Sequence, residues 1–156
     1  MKFVLYNLAT AKEAWADETA RLYTQKLSHF VSFDIQTLKP KKSSRDEAAQ
    51  KKKEESELIL SSLSSDDYVV LFDERGKALN SIEFAKKIEG VLSSSKKRAV
   101  FIIGGSYGVS EEVRSRAQLM VSLSPMVMNH ILAQTVALEQ IYRAFTIIRN
   151  IPYHNI

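Results

Sequence analysis

Short apolar runs and longer stretches with helical apolar spacing alternate along this chain. Continuous apolar runs occupy residues 68–72 and 99–103, residues 2–8 are a short apolar run without helical spacing, and apolar and polar residues alternate over 31–35. The runs at 68–72 and 99–103 are typical of parallel strands that helices cover on both faces. A further apolar run at 119–123 predicts a fifth strand.

Apolar residues at helical spacing fill the intervals between these strands. The first interval carries Trp15, Thr19, Leu22, Tyr23, Leu27 and Phe30, and the last helix, over residues 130–149, carries Val136, Leu138, Ile141, Tyr142, Phe145 and Ile148. Ser44 followed by Glu47 resembles a capping box for a second helix, Ser81 is a candidate N-cap for a third, and residues 111–118 predict a fourth. The order β-α-β-α-β-α-β-α-β-α predicts a single α/β domain over residues 1–156, with a parallel sheet and helices on both faces.

The composition narrows the class of protein. The chain has 156 residues, of which 45% are hydrophobic, and it has no cysteine, so cysteine chemistry and disulfides are excluded. No apolar run approaches the roughly 18 residues of a membrane span, so we expect a cytoplasmic protein with no membrane partner. The net charge of +4 is modest, but basic residues cluster within residues 39–53 and 96–98. These clusters are either a solvated surface or a site for a polyanion.

Three of the five glycines, Gly104, Gly105 and Gly108, directly follow the apolar run at 99–103. Glycine lets a backbone turn sharply and approach a ligand closely, and open α/β sheets bind ligands at the carboxyl ends of their strands. The alternative is a tight turn without a ligand. The spacing does not match the dinucleotide-binding, P-loop or nucleophile-elbow motifs, and the three histidines lack the spacing of a helical metal pair.

The remaining candidate residues lie near the C-terminus. Glu139 and Arg143 are spaced to share one face of the last helix, where they form either a stabilising ion pair or part of a site. Met126 and Met128 either fill a core or line a pocket for an apolar ligand face. The terminal His154 carries a titratable imidazole where chains usually fray, so this tail is either disordered or functional.

Taken together, these features resemble the RlmH family of SPOUT methyltransferases. The residues that carry the resemblance are 69–73 with Gly76 and Lys77, 101–106 with Gly108, 122–124, His130, 139–144 and 152–154. The resemblance runs from Lys2 to the end of the chain and is most specific in its C-terminal part. It implies a SPOUT fold, in which the C-terminal segment forms a deep trefoil knot, an exception to the usual topology rules. It also implies a homodimer in which the partner chain completes each active site.

The resemblance further implies the reaction and its residues. The family transfers a methyl group from S-adenosylmethionine to N3 of a pseudouridine in a stem-loop of 23S ribosomal RNA in the assembled ribosome, so we expect neither a metal nor a DNA partner. The cofactor-binding residues that it implies are Phe72, Gly104, Leu123, Ser124, Pro125, Met126, Val127 and Met128, and the catalytic residues are His154, Tyr153, His130 and Arg143. We expect His154 with Tyr153 to contact or deprotonate the base, His130 to shape the pocket, and Arg143 to grip phosphate or orient the nucleotide.

Two positions depart from the family pattern, which has Pro-His followed four residues later by Arg. This chain has Asn129 before His130, and then Gln134, which lacks the charge and the fork geometry of arginine. Two alternatives therefore stay open. One is a SPOUT enzyme that acts on another RNA, and the other is a non-catalytic RNA-binding or ribosome-associated module in which the basic clusters bind RNA.

Overall fold

The computed structural model describes residues 1–8, 12–41 and 47–155. The strands of this part of the chain are β1 (Lys2–Leu8), β2 (Ser32–Leu38), β3 (Tyr68–Ala78), β4 (Arg98–Ile103) and β5 (Leu119–Ser122). Its helices are α1 (Ala14–Leu27), α2 (Ala48–Ser62), α3 (Ser81–Leu92), α4 (Glu111–Arg116) and α5 (His130–Ile148). All strand pairs are parallel, in the order β2-β1-β4-β3-β5. The predicted α/β order and parallel sheet are confirmed.

Alternate residues of the central strands enter two separate cores, as the two-residue period of a strand requires. Phe3, Leu5 and Phe101 pack with helices α1, α3 and α5 on one face of the sheet. Val4 and Val100 pack with α2 and α4 on the other face. The apolar runs of β1, β3 and β4 are continuous because both faces of these strands are covered.

Strand β3 continues six residues beyond its predicted end at Phe72. The polar extension pairs with the same strand as the apolar part, because Val121 of β5 lies opposite both Phe72 and Lys77. Gly76 makes this close approach possible, since a Cβ there would lie 2.5 Å from the Val121 backbone nitrogen. Backbone pairing with β5, and not apolar burial, therefore holds the end of β3. The trefoil knot stays a prediction.

Several predicted helix ends are wrong. Helix α2 begins at Ala48 after an extended Glu47, so the helix begins later than a capping box at Ser44 requires; Ser44 itself lies outside the described residues. Helix α3 is capped by Asn80 and not by Ser81, because the Asn80 side chain accepts from the Glu83 N–H in a complete capping box. Helix α4 ends at Arg116, since Gln118 instead accepts a hydrogen bond of 2.7 Å from the Val69 N–H.

The predicted apolar side of α1 is partly wrong as well. Trp15 and Leu22 are each 47% exposed, while Ala16 and Leu27 supply the buried contacts. Phe30 lies after the helix and stacks on Phe145 of α5. Two large apolar side chains of α1 thus face away from the core of this chain. No helix in the described ranges is long and apolar enough to cross a membrane.

Candidate active site

A cavity of about 610 Å³ opens at the carboxyl ends of β3 and β4. Its walls come from residues 72–75 within β3, the glycine turn after β4, the loop after β5 and the first turn of α5. The predicted cofactor-binding residues that line it are Phe72, Gly104, Leu123, Ser124, Met126, Val127 and Met128. Pro125 lies in the same loop but is not part of the lining. The structure therefore brings together the predicted residues from three distant parts of the sequence.

The glycine turn between β4 and α4 forms one wall. The Gly108 N–H donates to the Gly105 carbonyl at 3.0 Å, and Gly108 has a positive φ of 76°. A Cβ on Gly104 would lie 3.0 Å from Val109 Cγ1 and 3.2 Å from the Gly108 carbonyl carbon. Glycine at 104 thus lets the turn fold tightly upon itself beside the cavity, so a larger residue there would displace the wall.

Glu55 of α2 lies behind this turn. Its side chain is 2% exposed, and Oε2 has no hydrogen-bond partner among the described residues. A Cβ on Gly105 would overlap this oxygen, so the carboxyl group packs directly against the turn. Burial raises the pKa of Glu55, and the Lys51 ammonium, 3.9 Å from Oε1, opposes that rise. The turn is also tied to α2 by Ser110, whose N–H donates to Ser56 Oγ at 2.8 Å.

A charged wall that the sequence analysis missed lies beside the turn. Arg114 Nε donates to Asp73 Oδ2 at 3.1 Å, and the two side chains are 10% and 7% exposed. Both residues line the cavity, as do Lys52 of α2 and Arg75. The sequence did hold one signal for Asp73, because this residue directly follows the apolar run of a central strand, where open α/β sheets bind ligands. Arg114 had no comparable signal, because only the fold brings α4 next to β3.

The loop after β5 is shaped by its serines. Ser122 Oγ donates to the Ser124 carbonyl at 3.0 Å, and Ser124 Oγ accepts from the Met126 N–H at 2.9 Å. Met126 and Val127 are 78% and 85% exposed, whereas Met128 packs against the core. Of the two methionines, only Met128 fits the core interpretation. The exposed side chains of Met126 and Val127 are available to a ligand or to another chain.

The first turn of α5 completes the wall. Asn129 caps the helix, since its Oδ1 accepts from the Ile131 N–H at 2.8 Å, so this departure from the family pattern has a structural role. His130 lines the cavity, and burial together with the Lys51 charge lowers its pKa, which keeps its imidazole neutral at pH 7. Gln134 is not part of the cavity lining; it faces a separate polar groove with Asn7 and Arg21.

The C-terminal tail folds back onto the far end of α5. Asn150 adopts the left-handed conformation, with φ 55°, just after the helix. Tyr153 Oη then donates to Glu139 Oε1 at 2.9 Å, and Arg143 bonds both Glu139 and His154 Nδ1, the latter at 3.1 Å. The Arg143 guanidinium also lies 4.7 Å from the Tyr153 ring centre. We call Glu139, Arg143, Tyr153 and His154 the tail cluster.

The contacts of the tail cluster fix the protons of its members. Arginine only donates, so His154 Nδ1 accepts and its proton lies on Nε2. Burial raises the pKa of Tyr153, and its hydrogen bonds with Glu139 and Tyr23 raise it further, so the phenol stays protonated. The hydrogen bond from Arg143 to Glu139 raises the pKa of the guanidinium. Arg143 and Tyr153 thus donate within the tail cluster, and the Nε2–H of His154 is the donor that the cluster can offer to a substrate.

The four predicted catalytic residues do not meet within one chain. His130 lies at the cavity, whereas Arg143, Tyr153 and His154 are not part of its lining. His130 and Arg143 are 13 residues apart on α5, a span of about 20 Å along the helix. One chain thus holds a ligand-sized cavity at one end of α5 and a polar cluster near the other end. No group of three His, Asp or Glu side chains in the described part of the chain could hold a metal ion.

Comparisons with known proteins identify the family of this chain. The family described as "Predicted SPOUT methyltransferase" matches residues 1–154. The ribosomal RNA large subunit methyltransferase H of Bdellovibrio bacteriovorus is 69% identical over the full length of both chains, and that of Syntrophotalea carbinolica is 36% identical over 99% of both. A solved methyltransferase from Legionella pneumophila in complex with SAM has 16% identity and a TM-score of 0.46, and covers 93% of this chain and 66% of its own. On the family match and the full-length relatives, the chain belongs to the SPOUT methyltransferase family.

Proposed function

We propose that this protein transfers a methyl group from S-adenosylmethionine to N3 of a pseudouridine in 23S ribosomal RNA, as a cytoplasmic homodimer acting on the ribosome. The observation that carries the proposal is the 69% identity over the full length of both chains to a ribosomal RNA large subunit methyltransferase H. The placement of seven of the eight predicted cofactor-binding residues on one cavity supports it.

The cavity suits S-adenosylmethionine in size and chemistry. Its volume of about 610 Å³ lies within the range of roughly 300–1,000 Å³ common for small-molecule sites. Phe72, Ile103 and Leu123 offer apolar surface for a flat base, and the glycine turn and the loop at 123–128 offer backbone polar groups. These residues would hold the cofactor, which when bound supplies an electrophilic methyl group.

The base must lose its N3 proton as the new N–C bond forms, so the site needs an acceptor and donors. His130 is neutral and lies in the cavity wall, which suits a proton acceptor or a hydrogen-bond acceptor. His154 presents an Nε2–H, which suits donation to a carbonyl oxygen of the base, where negative charge grows as N3 is deprotonated. In this proposal Tyr153 and Glu139 orient Arg143, and Arg143 orients His154.

A second copy of the chain would bring His130 of one protomer close to His154 of the other. Because about 20 Å of helix separates His130 from Arg143, the tail cluster of one protomer must serve the cavity of its partner. The outer surface of α1 presents Trp15 and Leu22, each 47% exposed, and Leu132 of α5 is 45% exposed. Trp15 and Leu22 are seven residues apart and therefore share one side of α1, and we propose that this side contacts the partner chain.

Calorimetry with purified protein tests the cofactor. S-adenosylmethionine and S-adenosylhomocysteine should each bind the wild type, and Gly104→Val should abolish binding, because its side chain would strike Val109 and Gly108. Undetectable binding to the wild type, together with retained RNA binding, would instead support the non-catalytic RNA-binding module.

Methyl transfer tests the substrate. Purified protein and radiolabelled S-adenosylmethionine are incubated with ribosomes, with 23S ribosomal RNA and with transfer RNA from cells that lack this activity, and mass spectrometry locates the product. Label at N3 of a pseudouridine in 23S ribosomal RNA is the expected result. Label only in transfer RNA would overturn this substrate in favour of another.

Complementation between variants tests the shared site. Gly104→Val removes the cavity and His154→Ala removes the tail donor, so each variant alone should be inactive. If sites are shared, a co-refolded mixture contains heterodimers with one intact site, and roughly a quarter of wild-type activity should return. A mixture that stays inactive while sedimentation shows dimers would refute the shared site.

A further inference from the structure

Tyr107 is an exposed aromatic side chain on the rim of the cavity. It lines the cavity and is 51% exposed, so about half of the side chain is open to solvent. It lies within the turn that Gly105 and Gly108 close by their hydrogen bond of 3.0 Å. The side chain is thus presented from a short, closed turn and not from a long loop.

One lysine side chain lies beside this ring, and a second lines the same cavity. Lys51 Nζ lies 5.7 Å from the Tyr107 ring centre, within reach of a cation–π contact, and Lys52 lines the cavity. Lys51 is in turn 3.9 Å from Glu55, whose buried carboxyl group packs against Gly105. Glu55 therefore holds the ammonium over the ring from beneath the turn.

An aromatic ring with lysines nearby is typical of protein surfaces that bind single-stranded RNA. Unstacked bases stack on aromatic side chains, while lysines contact the phosphates. We propose that Tyr107 is a substrate-binding residue that stacks on a nucleobase of the RNA at the mouth of the cavity, with Lys52 contacting the adjoining phosphate. This inference rests on the proposed function and deepens it, because it names how the base enters the site.

Two substitutions of Tyr107 separate stacking from other roles. Tyr107→Ala removes the ring, and Tyr107→Phe retains it and removes only the hydroxyl group. Because stacking contributes about 1–3 kcal/mol per base, Tyr107→Ala should weaken RNA binding about 5- to 150-fold, and Tyr107→Phe should stay within about twofold of the wild type. The affinity for S-adenosylmethionine should be unchanged in both. A loss of S-adenosylmethionine affinity with unchanged RNA affinity would overturn the inference and make Tyr107 a cofactor contact.

Adjacent lysines supply a matched test of the phosphate contact. Lys52 lines the cavity, whereas Lys53 is 68% exposed and pairs with Glu57. Lys52→Gln should lower the slope of log affinity against log salt by about 1, and Lys53→Gln should leave it unchanged. Equal effects of the two variants would mean that both act only through net charge, and would overturn the contact.

The assay measures RNA binding directly, by fluorescence anisotropy of a labelled 23S stem-loop and by competition with ribosomes, alongside KM and kcat for methyl transfer. Circular dichroism and thermal unfolding control for the fold. If the wild type binds RNA but transfers no methyl group, the proposed function fails while the ring substitutions still test Tyr107. If the wild type binds no RNA, the inference fails as well.

Discussion

Alanine at Gly76 should strongly destabilise the fold, whereas alanine at Gly90 should stabilise it. A Cβ on Gly76 would lie 2.5 Å from Val121 N, 2.6 Å from Val121 C and 2.7 Å from Met120 C. All three are backbone atoms of β5, a strand held by its ladder to β3, so they cannot rotate away as a side chain would. Overpacking typically costs about 1–3 kcal/mol, and we expect a loss of at least about 3 kcal/mol here.

Gly90 is the matched control. It lies within α3, and a Cβ there meets nothing within 4 Å. Alanine removes backbone freedom from the unfolded chain and should therefore stabilise the protein by about 0.5–1 kcal/mol. For a chain of this length, that gain raises the melting temperature by about 2–3 °C.

Urea unfolding followed by circular dichroism measures both variants, and calorimetry with S-adenosylmethionine adds a functional readout. Gly76 directly follows Asp73, Glu74 and Arg75, which line the cavity, so displacing β3 from β5 should weaken binding along with stability. A Gly76→Ala protein as stable as the wild type would refute the close packing of the β3 extension on β5. A destabilised Gly90→Ala would refute the open surroundings of Gly90.

Three further predictions follow from single contacts. Because burial raises the pKa of Glu55, the folded chain binds more protons than the unfolded one at pH values between the two pKa values, so this contribution to stability should grow as pH falls through the folded-state pKa and be lost as pH rises through it. Glu55→Gln should flatten this part of a urea-unfolding profile against pH, and parallel profiles of the two proteins would contradict the prediction. Asn80→Ala should cost about 1 kcal/mol in the same assay, because it removes the capping box of α3, and an unchanged midpoint would exclude the cap. Arg143→Lys keeps the charge but loses the planar fork that bonds Glu139 and His154 at once, so methyl transfer should fall about tenfold with S-adenosylmethionine affinity unchanged, and full activity would show that this double contact is not needed.

Apolar periodicity predicts the parts of this fold that burial determines. The apolar runs in β1, β3 and β4 are buried on both faces, so hydrophobicity alone placed these strands within one residue at the amino end. The extension of β3 had no such signal, because residues 73–78 are largely polar and are held by backbone pairing with β5. The prediction that Trp15 lies on the buried side of α1 was wrong for the opposite reason. It is apolar and at helical spacing, yet it faces away from this chain's own core.

The residues of the candidate site also fall into those that the sequence could predict and those that only the fold reveals. The resemblance named Phe72, Gly104 and the loop at 123–128 as cofactor-binding residues, and all of them but Pro125 line one cavity because the sheet places β4 and β5 on either side of β3. Their binding of the cofactor stays a prediction. It missed Arg114 and Glu55, whose roles depend on how α4 and α2 pack against the turn. Such contacts join elements far apart in sequence, and no local pattern predicts them.

Helix α5 explains why a second copy is needed in the proposed function. A straight helix of 19 residues cannot bring its first turn to its second half, and here the cavity lies at the first turn and the tail cluster packs along the helix from its midpoint, Glu139, onward. In the proposed homodimer, a two-fold axis would relate two such helices so that the second half of one approaches the start of the other. The length of α5 then sets the distance between the methyl donor and the groups that hold the base. This is why the complementation between Gly104→Val and His154→Ala is decisive, whereas loss of activity in either variant alone would fit a site built within one chain.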